Sequence, residues 1–386
     1  MAKIIVVTTS LNIGGITAFL IPMVNEYAKM GHDVSLAYTV DTGDYLKRLD
    51  KSVKLVKFHS ISAIGSLFAV MRNLHLNDVI KIKTRKSTSL PVTDSVQRVS
   101  YDMSKYIHIS EEHYDVAIST AEFYCNAIVA NAINADRKIA WVHPDIGKLN
   151  IDLKASLKMI DNFYRVVTVS RAGLESLNKL FPLHTDKFLY IPNLMDTDYI
   201  ISKSKDSISD VDINFKGRKI VSVARIDNSS KRIDRMLRIA SILKKRNFNF
   251  RWFIVGDGSD AELINKMIVE EQLQDSVIML GRRNNPYPYI AYADYFVMTS
   301  QYEGKPIAVE EAKILHTPVI STEYTAAHEQ ILEKNGRVVV NEDGKLEDII
   351  AGYLIDDLLL RKLKKSASTY IFDNSSIIEQ LRNIVE

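Results

Sequence analysis

The sequence predicts an α/β protein made of two doubly wound units, on three observations. Short apolar runs of strand length alternate with amphipathic helical stretches, the pattern of a parallel sheet with helices on its faces. The alternation is seen twice, on either side of a polar, broken stretch at 202–217. A chain of 386 residues is also too long for one ordinary core. The expected boundaries are an N-terminal domain at 1–200, an inter-domain segment at 201–216, a C-terminal domain at 217–365 and a last helical piece at 366–386.

Composition narrows the function classes. A hydrophobic content of 46% with 25% charged residues is that of a soluble globular protein. A single cysteine, Cys125, rules out an intrachain disulfide framework and a cysteine metal cluster, and reads as core filler in a reducing compartment. Met1-Ala2-Lys3 runs straight into a strand, so no N-terminal signal is expected. No apolar run approaches the roughly 20 residues of a membrane-spanning helix.

The first series opens with a strand at 3–7, a helix at 18–30 stopped by Gly31 and a strand at 33–38. Gly14 and Gly15 lie in its first loop, without the G-x-G-x-x-G of a dinucleotide site. The pair implies tight or closely approached backbone, and a plain turn fits it equally. Further strands are expected at 53–58, 115–120, 138–145, 166–170 and 189–193. His143 falls at a strand's carboxyl end, the edge where open α/β sheets bind ligands. A chemical and a purely structural role are both open to it.

The second series has strands at 219–224, 251–255, 277–281, 295–298, 318–322 and 337–340, with a helix at 232–246. Asp210-Val211-Asp212 has the form of a metal–nucleotide motif, but its place in the linker favours a solvated acidic turn. The organising stretch is 303–312. It follows a buried strand, and Pro306 suits the first turn of a helix. Glu303 is placed on the loop and Glu311 about two turns into the helix, with a helix N-terminus between them that favours an anion. A phosphate site flanked by two hydroxyl-gripping acids fits this spacing, as does a surface turn with solvated glutamates.

Taken together, the segments resemble the retaining glycosyltransferases of group 1, also called family four, with the GT-B fold of two Rossmann-like domains facing a cleft. The residues that carry the resemblance are Val223-Ala224-Arg225-Ile226 with Lys231-Arg232, Phe253 through Gly258, Gly281 with Asn285-Pro286-Tyr287, and Ser300 through Ala312, which holds an E-x7-E pair. Gly14-Gly15, Trp141-Val142-His143, Val169-Ser170 and Ile191-Pro192-Asn193 follow in the family's order across the first half. Three features depart from it. The Arg225-to-Lys231 spacing is one residue longer than common, with Ser229-Ser230 placed in an extended loop. Ala224 replaces a frequent glycine, and the loop 324–328 lacks the usual glycine pair.

The resemblance implies roles residue by residue. Arg225 and Lys231 would neutralise a nucleotide diphosphate. Backbone N–H groups at Ile307, Ala308 and Val309 would support it, and Gly14 and Gly15 would admit it from the other domain. Glu303 would hold donor sugar hydroxyls, Glu311 the ribose hydroxyls, and His143 would lie near the anomeric carbon. The donor would be a UDP- or GDP-sugar, with no cofactor and no metal. The transferred group would be a hexosyl or N-acetylhexosaminyl unit. The last helix would pack back on the N-terminal, acceptor-side domain.

Net charge is only +3, yet residues 47–105 hold twelve Lys/Arg against four acids. This basic sector, with the amphipathic stretch at 61–76 and the cluster Lys81, Lys83, Arg85 and Lys86, suits an anionic membrane surface. A helix packed on its own domain with a solvated basic loop is the other reading. No nucleic-acid motif accompanies the charge. The expectation is a cytoplasmic enzyme at the inner face of the plasma membrane, acting on a lipid-linked glycan in cell-surface polysaccharide synthesis. The alternatives are a catalytically silent partner subunit, a sugar-nucleotide epimerase or hydrolase, and transfer to a soluble acceptor such as a protein hydroxyl.

Overall fold

The structure, a computed structural model, describes residues 1–12, 14–40, 45–58, 93–342 and 345–386. The amphipathic stretch at 61–76 and the cluster Lys81, Lys83, Arg85 and Lys86 lie outside the described residues. The chain divides into two compact units, and the described residues 1–195 and 373–386 form the first. Its strands are β1 (Lys3–Val7), β2 (Asp33–Tyr38), β3 (Lys54–Lys57), β4 (His113–Ser119), β5 (Asn134–Val142), β6 (Arg165–Thr168) and β7 (Phe188–Tyr190). They make one sheet in the order β3-β2-β1-β4-β5-β6-β7, with every pair parallel. Helices cover both faces of such a sheet, so Ile4 to Val7 read as an unbroken apolar run and are fully buried.

The last helix, Ser375–Val385, belongs to this unit. It buries Ile377, Leu381, Ile384 and Val385, the apolar stripe of its amphipathic pattern. Asn374 fastens its start: the side-chain amide donates to the Met195 carbonyl at 2.8 Å and accepts from the Met195 N–H at 3.2 Å.

The second unit holds residues 196–372. Its strands are β8 (Arg218–Val223), β9 (Phe250–Val255), β10 (Val277–Gly281), β11 (Tyr295–Met298), β12 (Val319–Thr322) and β13 (Gly336–Val339). The sheet order is β10-β9-β8-β11-β12-β13, again parallel throughout. The order reverses between β8 and β11, which makes the crevice beyond their carboxyl ends the natural ligand position.

Several boundaries differ from the sequence expectation. The first helix spans Gly15–Lys29, so the glycine pair is its N-terminus and not a preceding loop. The expected linker at 201–216 is partly helix, Thr197–Lys203, within the second unit. Its Asp210 and Asp212 are exposed, as expected, and both are also held in ion pairs. The Asp210 carboxylate accepts from the Tyr289 hydroxyl at 2.8 Å and pairs with Arg283 at 2.6 Å, while Asp212 pairs with Arg251 at 3.2 Å. Two basic partners and a phenol occupy the acids that sequence spacing alone had set side by side.

The loop after β9 lies hard against the loop after β8. A Cβ on Gly256, at φ +150°, would sit 1.8 Å from the Ala224 carbonyl oxygen. Gly256→Ala is therefore expected to destabilise the second unit by about 3 kcal/mol through backbone strain and overpacking, read as a lowered urea midpoint with unchanged m-value.

Candidate functional site

In the second unit the loops after β8 and β11 meet at the point where strand order reverses. They are tied by backbone and side-chain bonds: Gln301 N–H donates to the Ser230 carbonyl at 2.8 Å, and the Thr299 hydroxyl donates to the Lys231 and Arg232 carbonyls at 3.2 and 3.0 Å. This brings Lys231 and Glu303, 72 residues apart, into a direct ion pair. Their side chains are only 20% and 12% exposed. The Ser300 hydroxyl donates to the same Glu303 oxygen at 2.8 Å.

The loop carrying the two expected cations is organised by Asp227, which sequence reasoning passed over. Ser229-Ser230 is not an extended loop but part of a short helical turn, Asn228–Lys231, capped by Asp227. The Asp227 carboxylate accepts from the Ser229 N–H at 3.1 Å, the Ser229 hydroxyl at 2.6 Å and the Ser230 hydroxyl at 3.2 Å, and pairs with Arg225 at 3.2 Å. Partial burial works against its charge, but the serine bonds and the Arg225 charge outweigh it and hold the carboxyl below its usual range. The signal was present: an aspartate three residues before the end of a short polar run is an N-cap pattern. The expected helix at 232–246 breaks from this turn at Arg232, whose φ is +50°, and resumes as Ile233–Lys245. Arg232 grips Asp234 through two bonds of 2.9 Å, a planar fork on a carboxylate.

Arg235 is a second residue that sequence reasoning missed. It falls within the helix expected at 232–246 and is 4% exposed. Its guanidinium donates to Gln301 Oε1 at 2.7 Å and Asn341 Oδ1 at 2.8 Å, behind the loop that bears Glu303.

Pro306 is the N-cap and not part of the first turn, and the helix is Ile307–Ile314. Glu311 is therefore its fifth residue, little more than one turn in. It is buried and accepts from the Tyr287 hydroxyl at 3.2 Å. The Val309 N–H turns back to the Pro306 carbonyl at 3.3 Å. Ile307 and Ala308 supply the first two N–H groups, which no residue of the helix itself can accept. Arg225 reaches outward with 68% of its side chain exposed.

In the first unit, Gly14 caps the first helix with extended backbone, and a Cβ there would meet nothing within 4 Å. Gly14 and Gly15 are exposed at this N-terminus. His143 follows β5 and its Nε2 lies 2.9 Å from the Thr120 carbonyl. A carbonyl only accepts, so Nε2 carries the proton and Nδ1 keeps its lone pair. Burial lowers the His143 pKa, against the opposing Glu122 charge and the Thr120 bond, so the ring is neutral at neutral pH. Cys125 is buried and burial pushes its thiol up to about 12, which suits core filler and not a nucleophile.

Among the described residues no group of three or more His, Cys, Asp or Glu is placed to hold a metal ion, and no helix is long and apolar enough to cross a membrane. Unit two brings a cationic loop and a carboxylate together at the strand-order reversal, and the helix that follows Glu303 begins at Ile307. Groups of these kinds can hold an anion and hydroxyls.

Comparison with known proteins follows this geometry. Residues 204–370 match the profile of the family described as glycosyl transferases group 1. A poly(ribitol-phosphate) alpha-N-acetylglucosaminyltransferase of Staphylococcus aureus is 27% identical over 54% of this chain and 44% of its own. A diphospho-undecaprenol-linked N-acetylgalactosaminyltransferase of Campylobacter jejuni is 27% identical over 52% and 53%. The chain thus aligns with about half the length of these two curated relatives. An amylovoran biosynthesis glycosyltransferase of Erwinia amylovora is 23% identical over 94% and 92%. Among solved structures, Anabaena Alr3699/HepE in complex with UDP-glucose superposes with a TM-score of 0.72 at 16% identity, over 100% of this chain and 99% of its own. Staphylococcus aureus TarM, in complex with fondaparinux, alpha-GlcNAc-glycerol and UDP, gives 0.69 at 16%, over all of both chains. The likeness is one of fold: two parallel sheets of seven and six strands in the GT-B arrangement of strands and helices.

Proposed function

We propose that the chain is a group 1 glycosyl transferase, the family whose profile residues 204–370 match, and that it moves a hexosyl or N-acetylhexosaminyl unit from a UDP- or GDP-sugar to a hydroxyl of a lipid-linked glycan in cell-surface polysaccharide synthesis. The observation that carries this reading is the Lys231–Glu303 pair at the strand-order reversal of unit two, with Arg225 on the same loop as Lys231 and the helix after Glu303 starting at Ile307. A cation that meets a diphosphate and a carboxylate that meets sugar hydroxyls belong next to each other when the sugar is bonded to the phosphate. By their names the relatives act on poly(ribitol-phosphate), on a diphospho-undecaprenol-linked sugar and in amylovoran biosynthesis, which supports the acceptor class.

In this mechanism the bond between the anomeric carbon and the diphosphate oxygen breaks as the acceptor oxygen bonds to the same carbon. Lys231, Arg225 and the Ile307 and Ala308 N–H groups take up the charge that develops on the leaving diphosphate. The resemblance to retaining enzymes implies attack on the face the diphosphate leaves, with the departing phosphate oxygen taking the acceptor proton. Glu303 and Glu311 grip sugar and ribose hydroxyls and are not an acid–base pair. In the first unit, His143, neutral and with Nδ1 as acceptor, is suited to orient a hydroxyl, and Gly14 and Gly15 leave a helix N-terminus open to close approach of an anion.

A thermal-shift screen of UDP- and GDP-sugars, followed by a transfer assay with the best binder, tests the reading. Binding without turnover on any acceptor would point to a silent subunit, and release of free sugar or conversion of the donor alone to a hydrolase or epimerase. Two cations and a helix end already neutralise the leaving group, so transfer is expected to survive chelation with EDTA at full rate; loss of activity restored by a divalent ion would require a metal site. The basic sector at 47–105 is proposed to meet anionic lipid at the inner face of the plasma membrane. Charge reversal at Lys81, Lys83, Arg85 and Lys86 should then cut flotation with phosphatidylglycerol vesicles, and unchanged flotation would remove that contact.

A further inference from the structure

A buried polar cluster lies behind the helix Ile307–Ile314 and has no part in the roles given above. Its centre is Gln330, 2% exposed. The Gln330 amide donates to the Pro306 carbonyl at 3.0 Å and to Glu310 Oε2 at 3.3 Å, and its Oε1 accepts from the Tyr324 hydroxyl at 2.7 Å. Glu310 in turn pairs with Lys313 at 2.9 Å and accepts from the Tyr370 hydroxyl. The Lys313 ammonium lies 4.5 Å from the centre of the Tyr370 ring. Tyr324, Glu310 and Lys313 are buried. At such depth each broken bond leaves an unsatisfied polar group, so the cluster favours one arrangement.

The Pro306 carbonyl is what connects this cluster to ligand chemistry. A peptide unit is planar, with its C=O and N–H pointing in opposite directions. Holding the Pro306 carbonyl therefore fixes where the Ile307 N–H points, and that is the first free donor of the helix. The same glutamine holds Tyr324, so the loop after β12 is tied to the same peptide.

We propose that Gln330 is a positioning residue for the nucleotide-diphosphate donor: through the Pro306 carbonyl it aims the Ile307 N–H at the diphosphate. Glu310, itself held by the Tyr370 hydroxyl, accepts from Gln330 from behind, and Tyr324 donates to it from the side of the loop. The inference rests on the proposed donor site at this helix N-terminus.

The test uses the full chain, with UDP as the probe in titration calorimetry and donor kinetics on the UDP-sugar selected by the screen. Gln330→Leu keeps the bulk and removes all three bonds; Tyr324→Phe removes a single hydroxyl and keeps the variant folded if the first fails. In Gln330→Leu the UDP dissociation constant and the donor KM should rise about five- to tenfold, the scale of one well-made bond to a charged ligand. In Tyr324→Phe they should rise about two- to threefold, and kcat should change less than KM in both. A purely structural cluster would lower Tm and leave the UDP affinity of the folded variants at the wild-type value, which would overturn the proposal while the donor site stands. Failure of the wild-type protein to bind either UDP or GDP would remove the donor site, and this inference with it.

Discussion

Lys231→Ala is expected to lower transfer about 10²–10³-fold, the usual scale for losing one preorganised partner of a developing charge. The lysine is the inward cation of its loop, since Arg225 lies largely in solvent where water competes for its charge and salt screens it. The loss should appear mainly in kcat, because the leaving diphosphate gains charge only as the sugar bond breaks. Lys231→Arg is expected to recover little: a planar fork does not fit the place of a compact ammonium held between Glu303 and the loop. Single-turnover measurement separates this from a binding defect. A variant within about threefold of wild type, against the 10²–10³ expected, would place the diphosphate elsewhere.

The second large effect concerns stability. Lys313→Met should destabilise the second unit by about 3–5 kcal/mol, because it leaves the buried Glu310 carboxylate without its cation. Burial lowers the Lys313 pKa, and Glu310 opposes that shift by charge and hydrogen bond. The double variant Glu310→Leu, Lys313→Met should recover most of the loss in urea melts. A single variant as stable as wild type at pH 7 would show that the pair adds nothing.

What the sequence made legible was what local pattern controls. Strand-length apolar runs marked both sheets, and the loops bearing Arg225, Lys231 and Glu303 fell at strand ends, where ligands bind. Local pattern also erred by a turn where one dihedral decided: Arg232 interrupts a run that is apolar-periodic on both sides, and Pro306 caps the helix it was expected to begin. Arg235 and Glu310 are charged residues within helical stretches, and nothing local marks them as buried. Their burial depends on Gln301, Asn341, Gln330 and Tyr370, partners 20 to 106 residues away that no periodicity connects. The expected membrane contact rests on residues mostly outside those described.

The Lys231–Glu303 pair has a consequence for what the crevice accepts. With no ligand, each charge satisfies the other, so any ligand must first separate them. Free nucleotide rewards the lysine and strands a half-buried carboxylate. Free sugar does the reverse. Only a molecule that carries phosphate and hydroxyls on one frame compensates both at once. The intact donor should therefore bind more tightly than its fragments predict, and spent nucleotide should leave readily once its sugar is gone.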